Sequence, residues 1–298
     1  MRIPWLKNSN TQAKLGVFIA KQRVDICALS ASNDAISVLD STAFNDISEL
    51  VKTLSAMIVK HKLQSSACHV VLSNQLYQLL QIDKPSVPDD EIASTLPFIA
   101  KEFISEAIDS VVFDYFSVPN QNKINLVYSS KSLVELIITA IKQSKLELVT
   151  IGIEELATAN LFNTSADTAR KSTQMLIAQQ DYQEVSLTII YDNQLYFSRR
   201  LRGFSRLRDL QESQLDTSLL DNFSLEIQRS ADFVVSQLKL PEVKEINLAL
   251  PSMILEPLIS RLQINFTIPV TPLKHAYIGD NVDTGFLPAI GGALEKSS

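Results

Sequence analysis

The sequence predicts two α/β lobes of one shared architecture, each a mixed sheet that opens with a three-strand meander and is flanked by helices. Three observations carry this expectation. A cluster of short β-like segments followed by helix–strand alternation occurs twice along the 298 residues. Two dipeptides that favour tight turns, Asn33-Asp34 and Asp192-Asn193, fall inside those clusters. Between the halves, residues 163–173 are small and polar throughout, the composition of a linker. The expected lobes are residues 1–165 and 166–298, with an inserted subdomain around 75–130 in the first.

In the first lobe, Lys14–Ala20, Val24–Ser30 and Ala35–Leu39 read as the meander, apolar and rich in β-branched residues. A helix is expected from Ala43 to Lys62, because Leu50, Leu54, Met57 and Ile58 recur on one face. Cys68–Leu72 is a fully apolar strand, and Tyr77–Ile82 reads as another. Pro88 followed by Asp89, Asp90 and Glu91 starts a helix toward Ile104, the acids complementing its positive end. Pro97 should kink or divide that helix. Val111–Val118 and Ile124–Tyr128 read as strands, Ser132–Lys145 as a helix, Leu146–Ile153 as a strand and Glu154–Phe162 as a helix.

The pattern then restarts. Met175–Gln179, Val185–Tyr191 and Gln194–Leu201 form the second meander, with Asp192-Asn193 turning the last hairpin. Leu219–Leu238 is a long amphipathic helix whose stripe is Phe223, Ile227, Ala231, Val234 and Leu238. A strand over Glu245–Leu250, a helix over Ile254–Leu262 and a strand over Asn265–Val270 complete the lobe.

Composition narrows the chemistry. At 46% hydrophobic, 20% charged and a net charge of -6, the chain suits a folded soluble protein with no general attraction to nucleic acid. Cys27 and Cys68 sit in apolar runs and fit buried thiols of a reducing cytoplasm. No apolar stretch reaches the ~18 residues of a membrane span. Ile3, Trp5 and Leu6 beside Arg2 and Lys7 would suit a membrane interface, although a frayed terminus explains them more simply. His61, His69 and His275 form no metal-binding spacing, and His69 must point away from its neighbour Cys68 on a strand. Seven glycines, Gly16, Gly152, Gly203, Gly279, Gly285, Gly291 and Gly292, are few for this length, and none forms a phosphate-loop frame.

Four stretches carry a family likeness. Leu72–Tyr115 ends in Val-Val-Phe-Asp-Tyr; Ile151–Phe162 reads IGIEELATANLF; Leu225–Val235 reads LEIQRSADFVV; Ala289–Leu294 reads AIGGAL. In order and spacing they resemble the PilM group of actin-like proteins, which organise type IV pilus assembly at the inner membrane. The resemblance implies an actin-like (ribonuclease H-like) two-lobe fold, a cytoplasmic protein peripheral at the inner membrane, and an adenine-nucleotide cleft. At the adenosine side of that cleft it matches Glu226, Gly291 and Gly292, with Gly16 opening the first phosphate hairpin.

The same resemblance exposes departures. Family hairpins use Asp-x-Gly turns, whose aspartates position the metal and whose glycines admit the phosphate. Here Phe18 stands for the first aspartate, Ala20 for its glycine, and Asp25 where lysine is usual. In the second hairpin Gln179 takes the aspartate position and Asp181 the glycine position. The expectation is a degenerate site: no catalytic residue, no metal, no hydrolysis, and at most weak ATP or ADP binding at Gly16, Glu226, Gly291 and Gly292. Each of these four also has an ordinary structural explanation.

By resemblance the partner is a PilN-like single-span inner-membrane protein, whose N-terminal tail would bind a groove in the first lobe, with the pilus assembly ATPase as a further contact. The segment Asp83–Tyr128 is the expected source of the groove walls, with Phe98, Phe103, Phe113, Tyr115 and Phe116 as available aromatics. Arg199, Arg200, Arg202, Arg206 and Arg208 form the one unusual charge cluster, suited either to an acidic partner or anionic headgroups, or simply to a solvated strand edge. Two other functions stay open: a working actin-like ATPase, and the cytoplasmic part of a GspL-like secretion component. The latter family continues into a membrane helix, whereas this sequence ends at Ser298.

Overall fold

In this computed structural model, which describes residues 13–30, 35–162, 172–180, 184–250, 252–274, 277 and 283–295, the chain forms two units. One comprises residues 1–157 with 288–298 and the other residues 158–287. The Trp5 segment, the Asn33-Asp34 turn, most of the expected linker, Asp181, His275 and Gly279 lie outside the described residues.

The first unit opens with β1 (Lys14–Ile19), β2 (Arg23–Leu29) and β3 (Ile36–Ala43), followed by α1 (Leu50–His61) and β4 (Ala67–Leu72). β5 (Gln78–Asp83), α2 (Ile92–Ala100), β6 (Val111–Ser117), β7 (Lys123–Ser130), α3 (Lys131–Gln143), β8 (Glu147–Ile153) and α4 (Glu154–Asn160) come next. Its main sheet has the order β3-β2-β1-β4-β8, with β1 antiparallel to β2 and parallel to β4. Leu15, Val17, Ile19, Cys68, Val70 and Leu72 face a core completed by Leu54 and Ile58 of α1 and Ile137 and Ile141 of α3. β1 and β4 are buried on both faces, which is why they read as unbroken apolar runs rather than alternating ones.

Two boundaries differ from the sequence expectation. β3 runs past Leu39 through Ala43, where the helix was expected to start, because Ser41–Ala43 pair with Arg23–Asp25 of β2. The helix start is delayed to Asp46, whose carboxylate accepts the Ser48 N–H before α1 begins. The helix expected to reach Ile104 stops at Ala100, carrying Pro97 in its last turn. The segment 78–130 forms its own antiparallel sheet, β5-β7-β6, with a separate core of Ile82, Ile92, Leu96, Ala100, Ile124 and Leu126.

In the second unit, β9 (Thr173–Ala178), β10 (Val185–Tyr191) and β11 (Gln194–Leu201) form the meander. Asp192 and Asn193 both take left-handed φ, 51° and 60°, as a two-residue hairpin turn requires. α5 (Thr217–Ser236) starts at Asp216, which caps the Leu219 N–H, and buries Leu220, Phe223, Ile227 and Val234. β12 (Val243–Ala249), α6 (Ser252–Asn265) and β13 (Val270–Pro272) complete a sheet of order β11-β10-β9-β12-β13. The last strand begins where the sequence pattern expected it to end. Gln263 explains the shift: its amide donates to the Phe266 and Ile268 carbonyls and accepts the Val270 N–H, so the intervening residues form a tied loop.

α7 (Leu287–Ala293) closes the chain. Residues 288–298, which the sequence pattern assigns to the second lobe, count with the first unit. The reason is backbone-on-backbone packing. A Cβ on Gly16 would lie 1.9 Å from the Ala289 carbonyl oxygen, and one on Gly291 would lie 1.9 Å from that of Ala157. We therefore expect Gly16→Ala to destabilise the first unit by about 1–3 kcal/mol or more through overpacking, read as a lowered denaturant midpoint at unchanged m-value. An unshifted midpoint would contradict this packing.

Candidate functional site

The first hairpin, between β1 and β2, is closed by a backbone hydrogen bond. Ala20 donates its N–H to the Arg23 carbonyl at 2.9 Å, closing the turn, and none of residues 20–23 has a positive φ. Phe18 is fully buried and pairs in register with Asp25, which in turn pairs with Ser41. Residues directly opposite share a sheet face, so Phe18, which the resemblance matched to an aspartate, lies on one face with Asp25 and Ser41. Asp25 is 1% exposed and occupied by its own strand neighbours: Arg23 Nη2 lies 3.0 Å away and Ser41 Oγ donates at 2.5 Å. A buried carboxylate needs such partners to stay charged.

Gly16, Gly291 and Gly292 do come together in this unit, on the face of the sheet that carries Phe18. The space beside them is filled by protein: Ala289 against Gly16, Ala157 against Gly291, and Val71 Cγ2 at 2.8 Å from a Cβ placed on Gly292. His69, on the same face, is buried with its Nδ1 3.0 Å from Thr150 Oγ1. Burial lowers its pKa, opposed by nearby Glu295, so the ring stays neutral. Cys68 points to the opposite face, into the core, and burial raises both thiols, Cys27 to about 12. His61 Nε2 sits 2.6 Å from Asp40 at the surface. Among the described residues no group of His, Cys, Asp and Glu could hold a metal ion.

In the second unit, Gln179 is 1% exposed and every polar atom of its amide is engaged. Nε2 donates to the Phe204 and Ser205 carbonyls at 3.1 and 2.7 Å, and Oε1 accepts the Arg208 N–H at 2.9 Å. Only an amide supplies both roles at once; a carboxylate has no proton to give. Glu226, on α5, is equally committed. Arg199 Nη2 reaches one carboxylate oxygen at 2.8 Å and Arg229 Nη1 the other at 2.7 Å. Protein groups thus satisfy both side chains, which the sequence did not reveal.

A second concavity lies wholly in the first unit. It encloses about 640 Å³ and is lined by Leu76, Tyr77 and Gln78 at β5, Glu106, Ser110 and Val111 at β6, Tyr128–Ser130 ending β7, and Lys131, Ser132 and Glu135 of α3. Tyr77 donates its hydroxyl to Glu155, and Ser129 Oγ donates to the Leu76 carbonyl at 2.7 Å. Burial and nearby Glu106 raise the Tyr128 pKa, keeping a neutral phenol in the wall. The expected segment 83–128 contributes only part of this lining. Residues 75–78 and 129–135 were missed, although a serine at 129, 130 and 132 beside Tyr128 is a visible polar–aromatic signal. Of the expected aromatics, Phe98 and Phe103 are 72% and 53% exposed. Phe113 and Tyr115 pack on the small core and Phe116 on the main one.

The fold is that of the actin-like ATPases. The chain superposes on the PilM–PilN type IV pilus biogenesis complex with a TM-score of 0.69 at 17% identity, covering 94% of this chain and 97% of that one. It is also similar to the cytoplasmic domain of EpsL, an inner membrane component of the type II secretion system of Vibrio cholerae. That likeness has a TM-score of 0.54 at 13% identity over 95% of both chains. A Bacteroides thetaiotaomicron protein with the actin-like ATPase fold matches with a TM-score of 0.54 at 12% identity, over 92% of this chain and 94% of that one. No protein-family model matches the sequence, and a search of curated proteins finds no match. Among the described residues no helix is long and apolar enough to cross a membrane.

Gln179→Glu tests the amide's role. The variant loses both donors and leaves the Phe204 and Ser205 carbonyls facing a carboxylate, a cost on the order of 2 kcal/mol or more. We expect a lower unfolding midpoint and faster tryptic cleavage at Arg202 and Arg206. Unchanged stability and cleavage would mean that the 204–208 segment is held by other contacts.

Proposed function

We propose that this protein is a cytoplasmic scaffold of type IV pilus biogenesis, of the MSHA type and most like MshI, peripheral at the inner membrane. It binds the cytoplasmic N-terminal tail of a PilN-like, here MshJ-like, single-span protein, and so helps align the inner-membrane complex with the assembly ATPase. The observation that carries this reading is the open 640 Å³ cleft between the small sheet and α3 of the first unit, in a chain whose fold is that of PilM. Its mixed lining of tyrosine, leucine, valine and serine hydroxyls suits a short peptide with apolar side chains and unpaired backbone groups.

The test is calorimetric titration of the full chain with a synthetic N-terminal peptide of the PilN-like protein encoded beside it. We expect micromolar binding, weakened at least ~10-fold by Ser132→Trp, which places a bulky ring at the exposed rim without touching the core. No heat up to high micromolar peptide, or an unaffected Ser132→Trp protein of unchanged unfolding midpoint, overturns the assignment.

We further propose that the protein is not an enzyme and that its nucleotide site is vestigial. Buried Phe18, the fully bonded Gln179 amide and the doubly paired Glu226 support this. Titration with Mg-ATP should give binding no tighter than high micromolar and no phosphate release. Micromolar affinity with turnover would favour the working ATPase instead. A GspL-like secretion role remains the second reading, supported by the likeness to the EpsL cytoplasmic domain.

A further inference from the structure

The second unit has a charged surface that the tail-binding reading does not use. Half of the chain's arginines fall between residues 199 and 208, with no lysine among them. Arg199 is committed to Glu226, whereas Arg202 and Arg206 are exposed. The segment that presents them is held from beneath. Phe204 and Leu207 are buried in the core, the Phe204 ring packing 4.9 Å from that of Phe223. Gln179 ties the Phe204 and Ser205 carbonyls and the Arg208 N–H, and Glu184 accepts the Phe204 N–H at 3.2 Å. Gly203, at φ +90°, makes the turn. The loop is thus ordered before any ligand arrives, which lowers the entropic cost of binding.

Two features narrow the ligand. β11, which leads into the loop, is the end strand of its sheet, and an end strand offers a ladder of backbone groups to an extended segment. Arginine presents a planar fork that matches carboxylates in pairs. A flat anionic bilayer fits less well. Phe204 and Leu207, the loop's large apolar side chains, are buried rather than available for insertion.

We infer that β11 and the 202–208 loop form a docking surface for an acidic, extended segment of a partner protein. Its backbone adds to the sheet along β11, and its carboxylates pair with Arg202 and Arg206. This surface is separate from the cleft of the first unit, and its failure would leave the tail-binding proposal untouched.

The test uses the full chain and a labelled short peptide of alternating glutamate and threonine, read by fluorescence anisotropy. Arg202→Glu with Arg206→Glu is compared with Lys239→Glu with Lys244→Glu, an equal charge change at exposed sites of the same unit. We expect saturable binding that weakens at least ~10-fold in the arginine variant and under about twofold in the lysine variant, with matching unfolding midpoints. Hydrogen exchange of β11 amides should slow on binding. Equal losses in both variants, unchanged β11 exchange, or binding to phosphatidylglycerol vesicles in place of the peptide would each overturn the inference.

Discussion

The close approach of α7 to β1 sets the terms for the first unit. Gly16 lies where a Cβ would strike the Ala289 carbonyl and the Ala293 amide, and Gly291 lies equally hard against Ala157. Helix backbone therefore rests on strand and helix backbone with no side chain between them. This covers the second face of β1 and β4, which is why both strands can be apolar on each side. It also draws the end of the chain back to the unit where the chain began. Two of the seven glycines, Gly16 and Gly291, are held by backbone-on-backbone contact, while Gly292 packs against the Val71 side chain.

The same economy runs through the positions that an actin-like site would use for nucleotide. Phe18 has joined the packing, and Asp25 is held by Arg23 and Ser41. Gln179 gives all of its hydrogen-bonding capacity to a neighbouring loop, and Glu226 gives both carboxylate oxygens to arginines. Each group is buried or half-buried, and a polar group in that state is stabilising only when its partners are present. On the vestigial-site reading proposed above, a phosphate or a metal would first have to displace those partners.

Much of the fold was legible from periodicity and turn chemistry. The Asp192-Asn193 hairpin, the α5 stripe and the buried central strands follow from local rules, since left-handed turns and apolar faces leave marks in the sequence. The misplaced boundaries come from contacts that override strand and helix preference: β2 recruits Ser41–Ala43 into β3 across the sheet, and Gln263 ties residues 266–269 into a loop before β13. The cleft was only half legible, because its wall joins residues 75–78, 106–111 and 128–135, which no single window contains.

The sequence by itself determined the two α/β lobes, the absence of an Asp-x-Gly pattern at both hairpins and the concentration of arginine after the second meander. These are properties of composition, spacing and side-chain type, which act locally. Tertiary structure alone decided that Gly16 and Gly291 serve backbone packing, that Gln179 and Glu226 are saturated, and that the arginine loop is pinned from below. Those outcomes depend on which groups meet across tens of residues, and a hydrogen bond or a missing Cβ has meaning only once its partner is in place.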